Sequence, residues 1–239
     1  MQLSVILCVY NESGRVERAF SELQKELDAS QLQYEIIVID NTSTDGTRQW
    51  VESLSEPHTK TILNETNLGK GGSIKLGISR SQGDYILIHD PDLEYNPEDI
   101  LPLFTLAQKE NSDLALGSRV LGGHNISYKY LQNYLGVAVL TKLINSLYGS
   151  SITDPATAMK LMKSSFIKQI NLTDNGFNLD FEIVVKTLRL HGEISEHRIS
   201  YYPRTKAEGK KLKAWRDGFA SLITILKTRT KSPRQINRV

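Results

Sequence analysis

Three carboxylates, Asp90, Asp92 and Glu94, fall within one short stretch, "YILIHDPDLEYNPED". An apolar run ends there abruptly in Asp-Pro-Asp. Carboxylates this close, at the mouth of a strand that reads as buried, repel one another unless a cation sits between them. Their oxygens are hard ligands, suited to Mg²⁺ or Mn²⁺, and both ions also bind phosphate oxygens. Asp90 and Asp92 are therefore candidate ligands of a divalent ion bridging to a diphosphate. Glu94 is a candidate third ligand, or a group that orients a water. An acidic turn capping the next helix is the open alternative, because D-x-D is a short motif.

The elements that must position these residues are legible around them. Short apolar runs cover Leu3–Val9, Tyr34–Asp40, Lys60–Asn64, Tyr85–Asp90 and Leu114–Arg119. Most are rich in Ile, Val and Leu without polar alternation, as strands buried on both faces are. Helical patterns lie between them. Arg15–Ala29 carries Val16, Phe20, Leu23 and Leu27 on one face, and Thr47–Leu54, Gly71–Ser81 and Pro97–Glu110 fill the other gaps. Asn96 followed by Pro97 is a helix-start signal. The alternation predicts an α/β fold, a mostly parallel, Rossmann-like sheet flanked by helices.

In such sheets ligands bind at the carboxyl ends of the strands. Polar residues recur at those ends in this chain. Tyr10, Asn11 and Glu12 follow the first strand, and Asp40, Asn41 and Asp45 the second. "NETNLGKGGS" follows the third, the acidic turn the fourth, and Ser118 and Arg119 the fifth. Five such loops in succession describe the rim of one cleft.

Composition sets the limits. The chain has 239 residues, 39% hydrophobic and 23% charged, which suits a globular protein with a substantial core. Cys8 is the single cysteine, so an internal disulfide framework is excluded and a reducing compartment fits. Met1 leads directly into an apolar run with no basic segment before it, so no signal peptide is expected. No uncharged stretch approaches the roughly 20 residues of a spanning helix. The net charge is +2, unevenly spread: 11 Lys/Arg against two acids from Arg204 onward, and 18 basic against 25 acidic residues elsewhere. A basic end of this kind favours a polyanionic partner or is a solvated tail. Residues 1–227 are expected to form one domain and 228–239 a basic tail.

Taken in order and spacing, "CVYNE", "VIDNTSTDGT", "NLGKGGS", "DPDLEYNP" and "GSR" resemble the nucleotide-sugar domain of family 2 glycosyltransferases. The downstream "TDPATAMKLM" and "DFEIVVKTLRLHG" resemble its dolichol-phosphate mannosyltransferase branch and bacterial polyprenyl-phosphate relatives. The resemblance covers about residues 3 to 227. It implies the GT-A fold, a UDP- or GDP-sugar donor, Mg²⁺ or Mn²⁺ as cofactor, and inversion at the anomeric carbon. It places Tyr10 and Glu12 beside base and ribose, and Asp40 near the base. Asn41 stands where the family often has a second Asp, and its amide offers a donor as well as an acceptor. Asn67, Gly69 and Lys70 match a loop near the nucleotide, Asp90 and Asp92 the metal motif, and Arg119 a phosphate-side guanidinium. Asp154 matches a position near the sugar. Arg204, Lys210 and Lys211 match a basic segment that closes over phosphates. Asp180 and Glu182 lie on a helical segment, where either reaches the cleft or is an ordinary solvated charge.

The acceptor decides the chemistry. A polyprenyl phosphate oxygen is already anionic, so Arg204 and Lys211 need only hold two phosphates together. A saccharide hydroxyl needs a base, for which Asp154 is the first candidate. Leu131, Leu135, Val139, Leu143 and Leu147 form a helical stripe that reads as an interfacial helix or as a core helix. With the basic end, it suggests a protein in the cytoplasm docked peripherally on a membrane. The non-enzymatic alternative is a nucleotide- or nucleic-acid-binding module. An acidic rim would repel nucleic acid, so nucleic acid is not an expected partner.

Overall fold

The computed structural model describes residues 1–121, 131–204 and 214–237. Every position of Tyr34–Asp40 is buried, as its uninterrupted Ile and Val content requires of a central strand. This is β2. It pairs in parallel with β1 (Leu3–Val9) on one side and β3 (Thr59–Leu63) on the other. β1 also pairs in parallel with β4 (Tyr85–His89). β5 (Leu114–Ser118), β6 (Lys160–Lys163) and β7 (Ile194–Arg198) complete a seven-stranded sheet in the order β3-β2-β1-β4-β6-β5-β7. β6 runs antiparallel to β4 and β5, and the other pairs are parallel.

Alternate residues of the central strands feed two cores. Leu3, Val5, Leu7 and Val9 of β1 face one side. There they meet Val16, Phe20, Leu23 and Leu27 of α1 (Val16–Ala29), and Leu103 and Phe104 of α4 (Ile100–Lys109). Ile6 faces the other side, against Ile74 and Ile78 of α3 (Gly69–Arg80) and Val184 of α7 (Leu179–Arg189). α3 lies so close to β1 that a Cβ on Gly77 would come within 2.7 Å of the Ile6 side chain. α2 (Thr47–Ser53) links β2 to β3, and α6 (Ser164–Ile167) follows β6.

The expected elements through residue 119 are all present, with ends shifted by a residue or two. The helix expected over 97–110 opens as a 3₁₀ turn, Pro97–Asp99, capped by the Asn96 side chain accepting from Glu98 N–H. The long helix of the second half is α5 (Leu131–Tyr148), which packs with α8 (Ala214–Thr230). Its stripe divides. Leu143 and Leu147 pack on the core, while Leu135 and Val139 are 53% and 65% exposed. After α8, α9 (Pro233–Ile236) buries Ile236 fully, and Asn171 N–H donates to its carbonyl. Among the described residues no helix is long and apolar enough to cross a membrane.

Candidate functional site

The carboxyl ends of β1, β2 and β4 lie side by side and open into a cleft of about 470 Å³. Its walls include Tyr10, Glu12, Asn41, Asn67, Lys70, Asp90, Asp92, Glu94, Arg119, Asp180 and Arg204. The rim expected from five successive loops is therefore one site.

Its centre is the turn after β4. Leu93 takes a left-handed φ of 62°, which lets Glu94 N–H donate back to Asp92 Oδ1 at 3.0 Å. Such a conformation is costly for a leucine, by roughly 1–2 kcal/mol, and it folds Asp92 and Glu94 toward one point. Arg204 fills that point. It donates to Asp92 Oδ2 at 2.7 Å, to Glu94 Oε1 at 3.2 Å and to Glu12 Oε2 at 3.4 Å. Tyr201 donates its hydroxyl to the other Glu94 oxygen. Lys70 reaches across from α3 and pairs with Asp90 Oδ2 at 2.7 Å. The Asp92 carboxyl is pushed up to about 7, by burial first and then by the charges of Asp90 and Glu94, against the pull of Arg204. Burial alone would push Lys70 down, but Asp90 and Asp180 outweigh it and hold the ammonium above its ordinary range. His89, buried beneath the turn, is driven down to about 4 by burial and stays neutral.

A second charge cluster flanks the first. Arg119 grips Asp154 with two parallel bonds, Nε to Oδ2 at 2.7 Å and Nη2 to Oδ1 at 2.8 Å. Its guanidinium also lies 5.0 Å from the Tyr201 ring. Burial would raise the Asp154 carboxyl, but Arg119 overrides it and holds the group below the usual carboxylate range. Behind them Lys160, fully buried on β6, donates to Thr157 O and to Asp180 Oδ1. Burial lowers the Lys160 pKa even though Asp180 draws it up.

Several sequence expectations are relocated. Asp40 is fully buried and accepts from Thr42 N–H, Ser43 N–H and Arg48 Nη1. It holds the loop from beneath. Asp154 is also fully buried, with both oxygens taken by Arg119. That is an anchor's geometry, and a carboxylate so engaged is a poor proton acceptor. Asp180 lines the cleft. Glu182 points elsewhere, accepting from Thr173 and Asp174 N–H and pairing with Lys186. Lys210 and Lys211 lie outside the described residues. Tyr95, Tyr201 and Lys160 were missed. A lone lysine in the apolar run "AMKLM" is the signal that would have found Lys160.

Metal fit follows from the donor set. Among the described residues, no three acidic, His or Cys side chains converge as a ready-made metal cluster. Lys70 and Arg204 stand between the carboxylates. Asp90 and Asp92 remain two hard oxygen donors on one turn, facing the open cleft. A Mg²⁺-type ion commonly takes one or two carboxylates and completes its shell with water and phosphate. The pair fits that pattern once the ammonium and guanidinium give way. Glu94, already bound by Tyr201 and Arg204, fits a supporting place better than a third direct ligand.

Comparison with known proteins gives the same direction. The family model described as "Glycosyl transferase family 2" matches residues 4–170. A dolichol-phosphate mannosyltransferase of Pyrococcus furiosus is 28% identical over 213 residues, covering 88% of this chain and 59% of the relative. The low-salt glycan biosynthesis hexosyltransferase Agl6 of Haloferax volcanii is 27% identical over 222 residues, 91% of this chain and 51% of the relative. The chain thus spans between half and three-fifths of these curated relatives. Among solved structures, glucosyl-3-phosphoglycerate synthase from Mycobacterium tuberculosis, in complex with Mn²⁺, UDP and phosphoglyceric acid, superposes with a TM-score of 0.72. That match has 16% identity and covers 97% of this chain and 79% of the other. S. aureus TarS 1–349 with UDP gives 0.59 at 19% identity, covering 98% and 68%. These likenesses show the fold, the GT-A arrangement that the sequence resemblance implied.

Proposed function

We propose a function from one premise: the chain belongs to glycosyl transferase family 2. The enzyme takes a sugar from a nucleotide-diphospho-sugar and passes it, with inversion, to a polyprenyl phosphate at a membrane surface. Mg²⁺ or Mn²⁺ is its cofactor, held by Asp90 and Asp92, and when bound it supplies positive charge to the leaving diphosphate.

One observation carries this reading. Two cations, Lys70 and Arg204, pair with the acidic turn at the strand ends, and a third, Arg119, lines the same cleft beside it. Carboxylates suit a metal, and guanidinium groups suit phosphate, which they bind through two parallel bonds. Arg119 is held at the cleft wall by Asp154, so its guanidinium is already positioned there. Arg204 can trade carboxylate partners for phosphate oxygens of the same charge. Tyr10 and Glu12 at the end of β1 suit the base and ribose side. In the reaction a phosphate oxygen of the lipid forms the new bond to the anomeric carbon as the bond to the nucleoside diphosphate breaks. The attacking oxygen is already anionic, so no side chain need remove a proton. The name of the Pyrococcus relative supports the dolichol-type acceptor. The exposed Leu135 and Val139 of α5 and Phe219 and Leu226 of α8 support a lipid surface nearby.

Asp180 favours a second reading, a saccharide hydroxyl as acceptor. It lines the cleft and has one oxygen toward Lys160, which leaves a carboxylate on the cleft wall suited to accept a proton. A donor screen separates the two. Nucleotide sugars are incubated with Mg²⁺ or Mn²⁺, and nucleoside diphosphate release is followed with and without short-chain polyprenyl phosphate. Release stimulated by the lipid phosphate is expected. Stimulation by saccharides alone, abolished in Asp180→Asn, would replace it with the second reading.

A further inference from the structure

We propose that Asn67 reads the nucleobase of the donor, by presenting an amide N–H to an exocyclic carbonyl, and that Asn41 only holds it in place. This rests on the nucleotide-sugar reading above and names the base chemistry that the reading leaves open. The argument starts from backbone N–H groups, whose polarity is fixed. Leu68 N–H donates to Asn41 Oδ1 at 2.9 Å, so that end of the Asn41 amide must be oxygen. Asn64 Nδ2 donates to the same oxygen at 3.1 Å. The other end of Asn41 is therefore its NH₂, and it donates to Asn67 Oδ1 at 2.9 Å. Gly69 N–H donates to Asn67 Oδ1 as well, also at 2.9 Å. Two donors on one atom fix that atom as oxygen, so the NH₂ of Asn67 is turned away from both. Asn67 is exposed and lines the cleft.

Asn41 is 5% exposed and its carbonyl and amino ends are both engaged within the protein. Its oxygen already takes two donors and so has no acceptor to offer a base, and one of its amide hydrogens is spent on Asn67. The position suits a base. β3, β2, β1 and β4 are neighbours, so the loop after β3 stands two to three strands from Asp90 and Asp92, on the order of 10–15 Å at strand spacing. A nucleoside diphosphate with its phosphates at the acidic turn extends along that line. The loop serves both regions: Lys70 pairs with Asp90, and Asn67 bonds with Asn41 at the end of β2.

A fixed N–H donor selects for chemistry. It accepts uracil or guanine, which carry a ring carbonyl where cytosine and adenine carry an amino group. Binding of UDP, GDP, CDP and ADP to the full chain, with Mg²⁺ present, measures this directly by calorimetry. Wild type is expected to bind one of UDP or GDP at least about tenfold tighter than its amino counterpart, CDP or ADP. Which of the two it prefers identifies the donor's base. Asn67→Asp keeps the shape and can still accept from Gly69 N–H and Asn41, but turns an acceptor outward. It should erase or reverse that ratio. The ratio matters because a new negative charge near the phosphates weakens all four ligands alike. Asn67→Ala should bring the ratio to about one without reversing it, and Asn41→Asp, which cannot donate to Asn67, should lower it partway. Thermal unfolding of each variant shows that it is folded. Equal weakening of all four ligands by Asn67→Asp and Asn67→Ala would overturn the assignment. Failure of wild type to bind any nucleoside diphosphate would instead remove the donor reading itself, and this inference with it.

Discussion

A guanidinium that donates to Asp92 at 2.7 Å and Glu94 at 3.2 Å occupies the ground a dication would need. Arg204 and the metal then compete for the same oxygens until a donor's phosphates give Arg204 another partner. Arg204→Ala should therefore act in opposite directions on two measurements. Mn²⁺ binding to the protein without donor, followed by the resonance of free Mn²⁺, should tighten about tenfold or more, a shift of roughly 1.4 kcal/mol. Turnover should fall by orders of magnitude, because the phosphates lose their cation. Unchanged Mn²⁺ affinity would show that Arg204 does not guard the carboxylates. Asp154 makes a different case. Its charge lies wholly inside the protein with Arg119, and removing one member of such a pair leaves the other uncompensated, at a cost of about 3–5 kcal/mol. Asp154→Asn should lower the melting temperature and kcat/KM together. A variant of full stability with a new pH dependence would instead favour Asp154 as a base.

The elements explain which of these residues a sequence can expose. β2 reads as a buried strand because residues 36–39 are an uninterrupted run of Ile and Val, and α1 reads as a helix because its apolar face repeats cleanly. The polar loops at strand ends were legible for the same reason: each follows a run whose end is sharp. What a loop side chain does after the strand ends was not legible. Asp40 turned inward to its own loop and Asp154 to Arg119, contacts 35 residues apart in the second case. β6 was hidden because it has four residues and runs against its neighbours, outside the alternating pattern. Glu35 is another polar residue with an element-level task. It joins β1, β2 and the turn before β4 by accepting from Ser4 Oγ and Gln82 N–H at 2.6 Å, with Lys60 beside it. Burial would raise its carboxyl, but Lys60, Ser4 and Gln82 hold it below the ordinary value of 4.5. The folded state thus releases this proton more readily than the unfolded chain. The stability it contributes is present above the unfolded pKa and is lost as pH falls through the folded one. Glu35→Gln should cost about 1–3 kcal/mol at neutral pH. It should also flatten the loss of melting temperature below pH 4.5, and a parallel pair of pH curves would show that Glu35 does not carry that dependence.

At the scale of the molecule, charge and apolar exposure fall on the same part of the chain. The segment from Arg204 onward carries most of the excess of basic residues. Within it α8 leaves Phe219 65%, Leu226 47% and Ile223 36% exposed, with Lys227 and Arg229 in its last turn. α5, packed beside it, leaves Leu135 and Val139 exposed. An apolar face next to basic groups matches the layering of an anionic bilayer, with acyl chains inward and headgroups at the level of the charges. Each basic residue near such a surface contributes about 1 kcal/mol, and salt screens that contribution while leaving apolar insertion in place. The two contributions should therefore separate. Phe219→Ser with Leu226→Ser should weaken binding to vesicles of anionic lipid at low and high salt alike. Lys227→Gln with Arg229→Gln should weaken it chiefly at low salt. Both pairs lie outside the cleft, so turnover of a detergent-soluble, short-chain polyprenyl phosphate should stay near wild type. Vesicle sedimentation and the soluble assay, run on the same preparations, check both halves. If neither pair changes vesicle binding, this face meets something other than a membrane; if either abolishes soluble turnover, α8 belongs to the acceptor site and not to a docking surface.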